Sequence, residues 1–401
     1  MANDLDNNNL SNLLRSYNDD DKRGLKERWE MQLEKLKINQ TRALKIMQME
    51  SRALHGLLKG TGSRVDIISL KKLSRFLEIS VGEAANLYLE SLKKPKEEQI
   101  HTLERRKFIA ENFNLKELKN EGVINDATDL DHVERELIRI FNYDSIFDYR
   151  KDVVNPAYSS AKLASNVQML NYWIEYARKV FRKIQNPNPY DRQALIEYFP
   201  TIRWHSMSVE KGIWEVIKVL YRMGITVIYL PKFKKLHIRG ATFSVNQKPS
   251  IILSDYKGNY ATIWFALLHE LHHVLFDWDD ILINSYHISD KTDFYTKVEV
   301  EDVANQFAKD YLFSDEKVQE VLPHYNNHLF IEEYARLNHV HPSIVYTMIA
   351  LERDSWGWLQ KFLPNINRCL GVVKNVNHNM SVSEVAEFYN EKIYNLSYEE
   401  N

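Results

Sequence analysis

A single cysteine, Cys369, stands in a chain of 401 residues. That excludes an internal disulfide, fits a reducing compartment, and leaves histidine and carboxylate as the groups from which any metal site must be built. Neither sign of charge is in excess. The 53 Lys and Arg face 55 Asp and Glu for a formal net of -2, so the chain as a whole points to no polyanion or membrane partner. No apolar run approaches the roughly 18 residues that a membrane helix needs. The opening residues, MANDLDNNNLSNLL, lack the basic flank and apolar stretch of a secretory signal. A cytoplasmic protein without a membrane partner is expected, and no internal repeat or low-complexity tract is present.

The length allows two or three domains. Residues 1–24 are rich in Asn and Asp and read as a frayed terminus. Residues 25–95 hold several short helical patterns. Residues 96–199 read as a helical middle, with a loop at NPAYSSAKLASN, an aromatic-rich helix near Met169 to Ile184 and a proline-asparagine break at QNPNPYD. In residues 200–350 the pattern changes. GITVIYLP (224–231) reads as a strand, and ATFSV and SIILSD as two more joined by the turn NQKP. An apolar helix follows, then a second at about Val298 to Leu312. Residues 351–401 read as a helical carboxy-terminal extension.

The apolar helix contains LLHELHHVLF, in which His269-Glu270-Leu271-His272-His273 fits H-E-x-x-H. Helical positions i and i+4 share a face, so His269 and His273 can point at one ion. Glu270 is rotated by about 100° and can serve an attacking water as base without ligating the metal. Unpaired His and Glu are costly in so apolar a run, which favours a Zn²⁺ site over a solvated face. A catalytic zinc needs a third protein ligand and an open position. In VEVEDVANQFAKDYLF, the residues Val300, Val303, Phe307 and Tyr311 form one stripe, read as the core face; Glu301, Ala304, Asn305 and Ala308 form another. Glu301, flanked by alanines that permit close approach, is the candidate third ligand, with Glu299 in reserve. His272 lacks the i+4 relation and reads as a packing or supporting histidine.

HELHHVLF followed 28 residues after His273 by ExxANQFA resembles the ImmA/IrrE family of zinc metallopeptidases. The resemblance covers roughly residues 200–350, including the preceding strands and HPSIVYTMIALE. It implies His269, His273 and Glu301 as metal ligands and Glu270 as catalytic base. The chain departs from the family at His272, where Gly or Ala is usual, and at Val303, where Glu is usual.

Residues 42–75 carry eight Lys and Arg against two acids, the local footprint expected for a phosphate backbone. The helices TRALKIM, SRALHGLLKG, SLKKLSRFLEI and SVGEAANLYLESL, the last capped by Ser80, with one around Trp29 to Leu36, resemble the Xre/Cro type of helix-turn-helix domain. That resemblance places Ser51, Arg52 and His55 toward bases and Arg42 near phosphate. Gln48 stands where glycine is usual in the turn.

The expected fold class is therefore multi-domain and mainly α: an N-terminal five-helix Xre/Cro-type helix-turn-helix domain and an α+β zincin-like metallopeptidase domain. Chains that join these two resemble bacterial or mobile-element regulators. The expected function is a DNA-binding zinc metallo-endopeptidase that cleaves a partner protein, a repressor or antitoxin, and binds double-stranded DNA; a homodimer is compatible. The alternative is a DNA-binding, antitoxin-like regulator whose metal site is structural or inactive.

Overall fold

The computed structural model describes residues 23–61, 64–92, 94–149, 167–236, 238–254, 258–289, 299–355, 357 and 362–394, without the side chains of 94–97, 99, 299 and 300. Residues 1–22 and the segment NPAYSSAKLASN lie outside these, as does the side chain of Glu299. The chain is mainly helical and divides into two compact units, Met1–Arg105 and Arg106–Asn401. Among the described residues no helix is long and apolar enough to cross a membrane.

In the first unit, helices α1 (Leu25–Leu36), α2 (Gln40–Met47), α3 (Ser51–Leu58), α4 (Ile67–Phe76) and α5 (Val81–Glu90) enclose Leu25, Trp29, Leu54, Leu73 and Ala84. Their starts are set by side-chain caps: Asn39 accepts from Arg42 N, Asp66 from Ile68 N and Ser69 N, and Ser80 from Glu83 N. The α2–α3 turn places Gln48 in the left-handed region, φ 48, which costs a non-glycine residue about 1 kcal/mol. Lys72 Nζ donates to the Gln48 carbonyl at 2.8 Å and secures that turn. Gly60, at φ +60, closes α3, and a Cβ there would sit 2.1 Å from the Ser91 carbonyl oxygen. Only glycine fits.

The second unit is built on a four-stranded sheet of order β1-β3-β2-β4. β1 (Thr226–Tyr229) runs parallel to β3 (Lys248–Leu253); β2 (Gly240–Val245) is antiparallel to β3 and to β4 (Tyr286–Ser289). Asn246 and Gln247, both at positive φ, make the two-residue turn that suits right-twisting strands. Strand alternation sends successive β2 residues to opposite helical layers. Phe243 packs on Trp173 and Phe181 of α7 (Val167–Ile184), whereas Thr242 reaches α9 (Tyr260–Phe276). Helices α6 (Leu130–Phe141), α8 (Gly212–Arg222), α12 (Pro342–Glu352) and α13 (Val382–Tyr389) are among those that surround the sheet, with α10 (Trp278–Asn284) before β4 and α11 (Glu299–Phe313) after it.

One continuous core in this unit takes side chains from all along it, from Ile109 and Phe141 through Ile251 and Leu268 to Val385 and Tyr389. The outer edge of β1 is closed by side chains of the last segment. Tyr389 Oη accepts the Tyr229 N–H at 2.7 Å and donates to the Tyr229 carbonyl at 2.9 Å, and Tyr394 donates to the Val227 carbonyl. These three edge groups are thus satisfied by side chains.

The two stripes of α11 are reversed from expectation. Val303 is 57 % exposed and Phe307 only half-buried, while Glu301, Ala304, Asn305, Ala308 and Leu312 are buried. The small residues make the buried face because they let α11 lie close against α9. Bulk was the wrong guide to the core.

Candidate metal centre

Helix α9 begins at Asn259, whose side chain accepts from Ala261 N, and is buried along nearly its whole length. A helix apolar on every side belongs in a core; its interruptions, His269, Glu270, His272 and His273, are themselves all buried. The Nε2 atoms of His269 and His273 face each other at 3.1 Å. Across from them, Glu301 of α11 brings Oε2 to 3.4 Å from His269 Nε2 and Oε1 to 3.6 Å from His273 Nε2. Donor atoms bonded at about 2.0–2.2 Å to one tetrahedral ion lie roughly 3.3–3.6 Å apart. These three side chains fit a divalent metal ion in both chemistry and spacing, and among the described residues they form one of two His/Asp/Glu groups close enough to hold one.

The other group, His272, His273 and Asp277, shares His273 with the first. His273 donates from Nδ1 to Asp277 Oδ2 at 2.7 Å, which turns its Nε2 toward His269 and Glu301. A carboxylate on the far nitrogen is the usual way to fix a ligating imidazole. His272 Nδ1 lies 3.6 Å from the same oxygen, and its ring sits against Phe276 and Phe307, at 4.8 and 5.1 Å between centroids. His272 packs between the two helices, with Phe276 on one and Phe307 on the other.

Electrostatics bind the cluster together. Burial pushes the His269 imidazole down against the pull of Glu301. For His273 burial acts the same way, but Asp277 and Glu301 outweigh it and hold the group at about 9. Burial would raise Glu301; hydrogen bonds from His269, His273 and His287 instead keep it well below the usual carboxylate range.

Glu270 points elsewhere. Thr242 of β2 donates to its Oε2 at 2.7 Å, and its Oε1 has no hydrogen-bond partner among the described residues although the side chain is fully buried. Gly240, two residues earlier on the same strand face, makes the room: a Cβ there would lie 2.5 Å from Oε1. Asn305, one turn beyond Glu301, is also buried with Oδ1 unpartnered among the described residues.

Four contributors are absent from the sequence reading. Asp277 was open to the same i, i+4 rule that joins His269 to His273. Thr242 and Gly240 alternate on an expected strand. His287 stands on β4, a strand not anticipated, and places Nε2 2.6 Å from Glu301 Oε1.

In the first unit, Ser51, Arg52 and His55 lie on the exposed face of α3, opposite buried Leu54 and Leu57, and Arg42 is exposed in the first turn of α2. Arg52 and His55 line a cleft of about 600 Å³ with Arg64, Glu50 and Asp66.

Comparison with known proteins finds no match among curated proteins and none among solved structures. Residues 221–345, which run from the end of α8 through the sheet, α9 and α11 into α12, match the family model of the IrrE N-terminal-like domain, peptidase family M78, a family of metallopeptidases.

Proposed function

We propose that the chain is a zinc-dependent endopeptidase that also binds DNA, and that it cleaves a partner protein such as a repressor or antitoxin. The observation that carries the peptidase reading is the division of labour in α9. His269 and His273 converge with Glu301, while the adjacent Glu270 is held by Thr242 with one oxygen left without a partner. A site that only held a metal has no need for that second carboxylate. The M78 match over the same residues supports the reading.

Zinc bound there supplies Lewis-acid chemistry, acidifying water toward neutral pH and polarising a carbonyl. The chain's own residues do the rest. Glu270 takes a proton from the attacking water on Oε1 and returns it to the leaving amine. Thr242 keeps Oε2 occupied, so the carboxylate does not swing to the ligand set. Asp277 keeps the His273 Nε2 lone pair directed inward. Among the described residues β4 lies at the edge of the sheet, and an extended substrate can add to it as a further strand.

DNA binding is supported by the exposed Arg42, Ser51, Arg52 and His55 and by the local basic excess. Zinc content of the purified chain, and its loss in Glu301→Ala, tests the centre. A protein that accumulates uncleaved in a Glu270→Gln strain tests turnover and names the substrate.

A further inference from the structure

His287 reaches the centre from outside the HExxH helix and its partner. It is buried, its ring centroid lies 4.0 Å from that of His273, and its Nε2 stands 2.6 Å from Glu301 Oε1. An imidazole so placed is either a fourth ligand or a hydrogen-bond donor to a ligand. Distance decides between them. Two ligand atoms of one tetrahedral ion sit about 3.3–3.6 Å apart, a spacing that His269 Nε2 and Glu301 Oε2 meet at 3.4 Å. The His287–Glu301 separation is far too short for that and suits a charge-assisted N–H···O⁻ bond. An ionised carboxylate has no proton to give, so the imidazole is the donor.

We propose that His287 is a positioning residue for the metal: its Nε2–H holds Glu301 Oε1 and leaves Oε2, which faces His269, as the ligand oxygen. This rests on Glu301 being a metal ligand. The strand register shows how the fold delivers it. Thr242 of β2 pairs directly with His287 of β4, so both side chains emerge on one face of the sheet. Thr242 holds the carboxylate of Glu270 and His287 that of Glu301. One cross-strand pair thus fixes the two acids in their separate roles. With His287 spent on Glu301, the three ligands leave a fourth coordination position for water.

The test uses the full chain with His287→Phe, which fills the space without a donor, and His287→Gln, whose amide N–H can replace the bond. Zinc affinity is read by competition with a chromogenic chelator, the visible spectrum of the cobalt(II)-loaded protein reports coordination, and the thermal midpoint of the metal-free protein reports folding. The Phe variant is expected to lose about 10–100-fold in zinc affinity while still binding one ion, and Gln to recover to within about threefold of the parent. The cobalt(II) spectra of parent and Gln variant should coincide. A Phe variant that binds as tightly as the parent overturns the proposal. So does a Gln variant that loses over about 100-fold or changes the cobalt spectrum, because that is the behaviour of a lost ligand. If the Phe variant does not fold, the Gln variant alone decides. A parent protein that binds no zinc overturns instead the reading of Glu301 as ligand.

Discussion

Thr242 donates its hydroxyl to Oε2 of Glu270 at 2.7 Å, from a strand position directly opposite His287. The bond ties the sheet to α9 where the helix carries its only fully buried acid. Replacing Thr242 by Val keeps the shape and removes the donor. Both Glu270 oxygens are then buried without a protein partner, a loss of about 1–3 kcal/mol. The thermal midpoint should fall by several degrees and peptide cleavage should drop, while Thr242→Ser restores both. An unchanged midpoint and unchanged cleavage in the Val variant would show that the bond does no positioning.

The closure of β1 by Tyr389 makes the last segment part of the sheet's architecture. Tyr389→Phe removes the hydroxyl that accepts the Tyr229 N–H and donates to the Tyr229 carbonyl, at a combined cost of about 2–4 kcal/mol. Urea unfolding should show that loss with an unchanged slope. A variant as stable as the parent would mean that this edge is satisfied another way.

His341 caps α12 through Nδ1, which accepts from Ser343 N at 3.1 Å. Burial, with the nearby charge of Arg368, pushes its imidazole down to about 4. The unfolded chain therefore binds this proton more readily than the folded one between about pH 6.5 and 4, and stability contributed by neutral His341 is lost as pH falls through that window. Protonation also turns the capping acceptor into a donor. In His341→Asn, which retains a capping oxygen, the decline in thermal midpoint between pH 6.5 and 4 should be shallower than in the parent. Parallel pH profiles for the two proteins would remove His341 from the account.

For the first unit, Arg52→Ala should weaken binding to the chain's own promoter DNA and reduce the slope of log affinity against log salt by about one if Arg52 meets phosphate. If it meets a base, the loss should instead fall on one sequence position. No salt-dependent binding by the parent protein would discard the helix-turn-helix reading.

How much of this was open to the sequence differs residue by residue. The 3.6-residue period alone put His269 and His273 on one side and Glu270 on another, and the alanines around Glu301 marked it as able to approach a neighbouring helix. The first three strands announced themselves through β-branched runs and the polar turn at Asn246 and Gln247. β4 did not: four residues between a short helix and the next segment carry too little pattern to register, and His287 was lost with it. The core stripe of α11 was misread because Val303 and Phe307 outweigh alanine in any hydrophobicity count, whereas close helix packing selects for small size. Tyr389 and Tyr229, 160 residues apart, meet through tertiary structure that no local window contains.

The proposed function assigns the chemistry to Glu270, at a centre held by His269, His273 and Glu301. Its most direct test labels new protein N-termini after parent protein or Glu270→Gln, each carrying one equivalent of zinc, is incubated with a native cell extract. New N-termini are expected with the parent, suppressed by about 10²-fold or more in the variant, with zinc binding and thermal midpoint unchanged. The same N-termini at the same rate from the Glu270→Gln protein would contradict it.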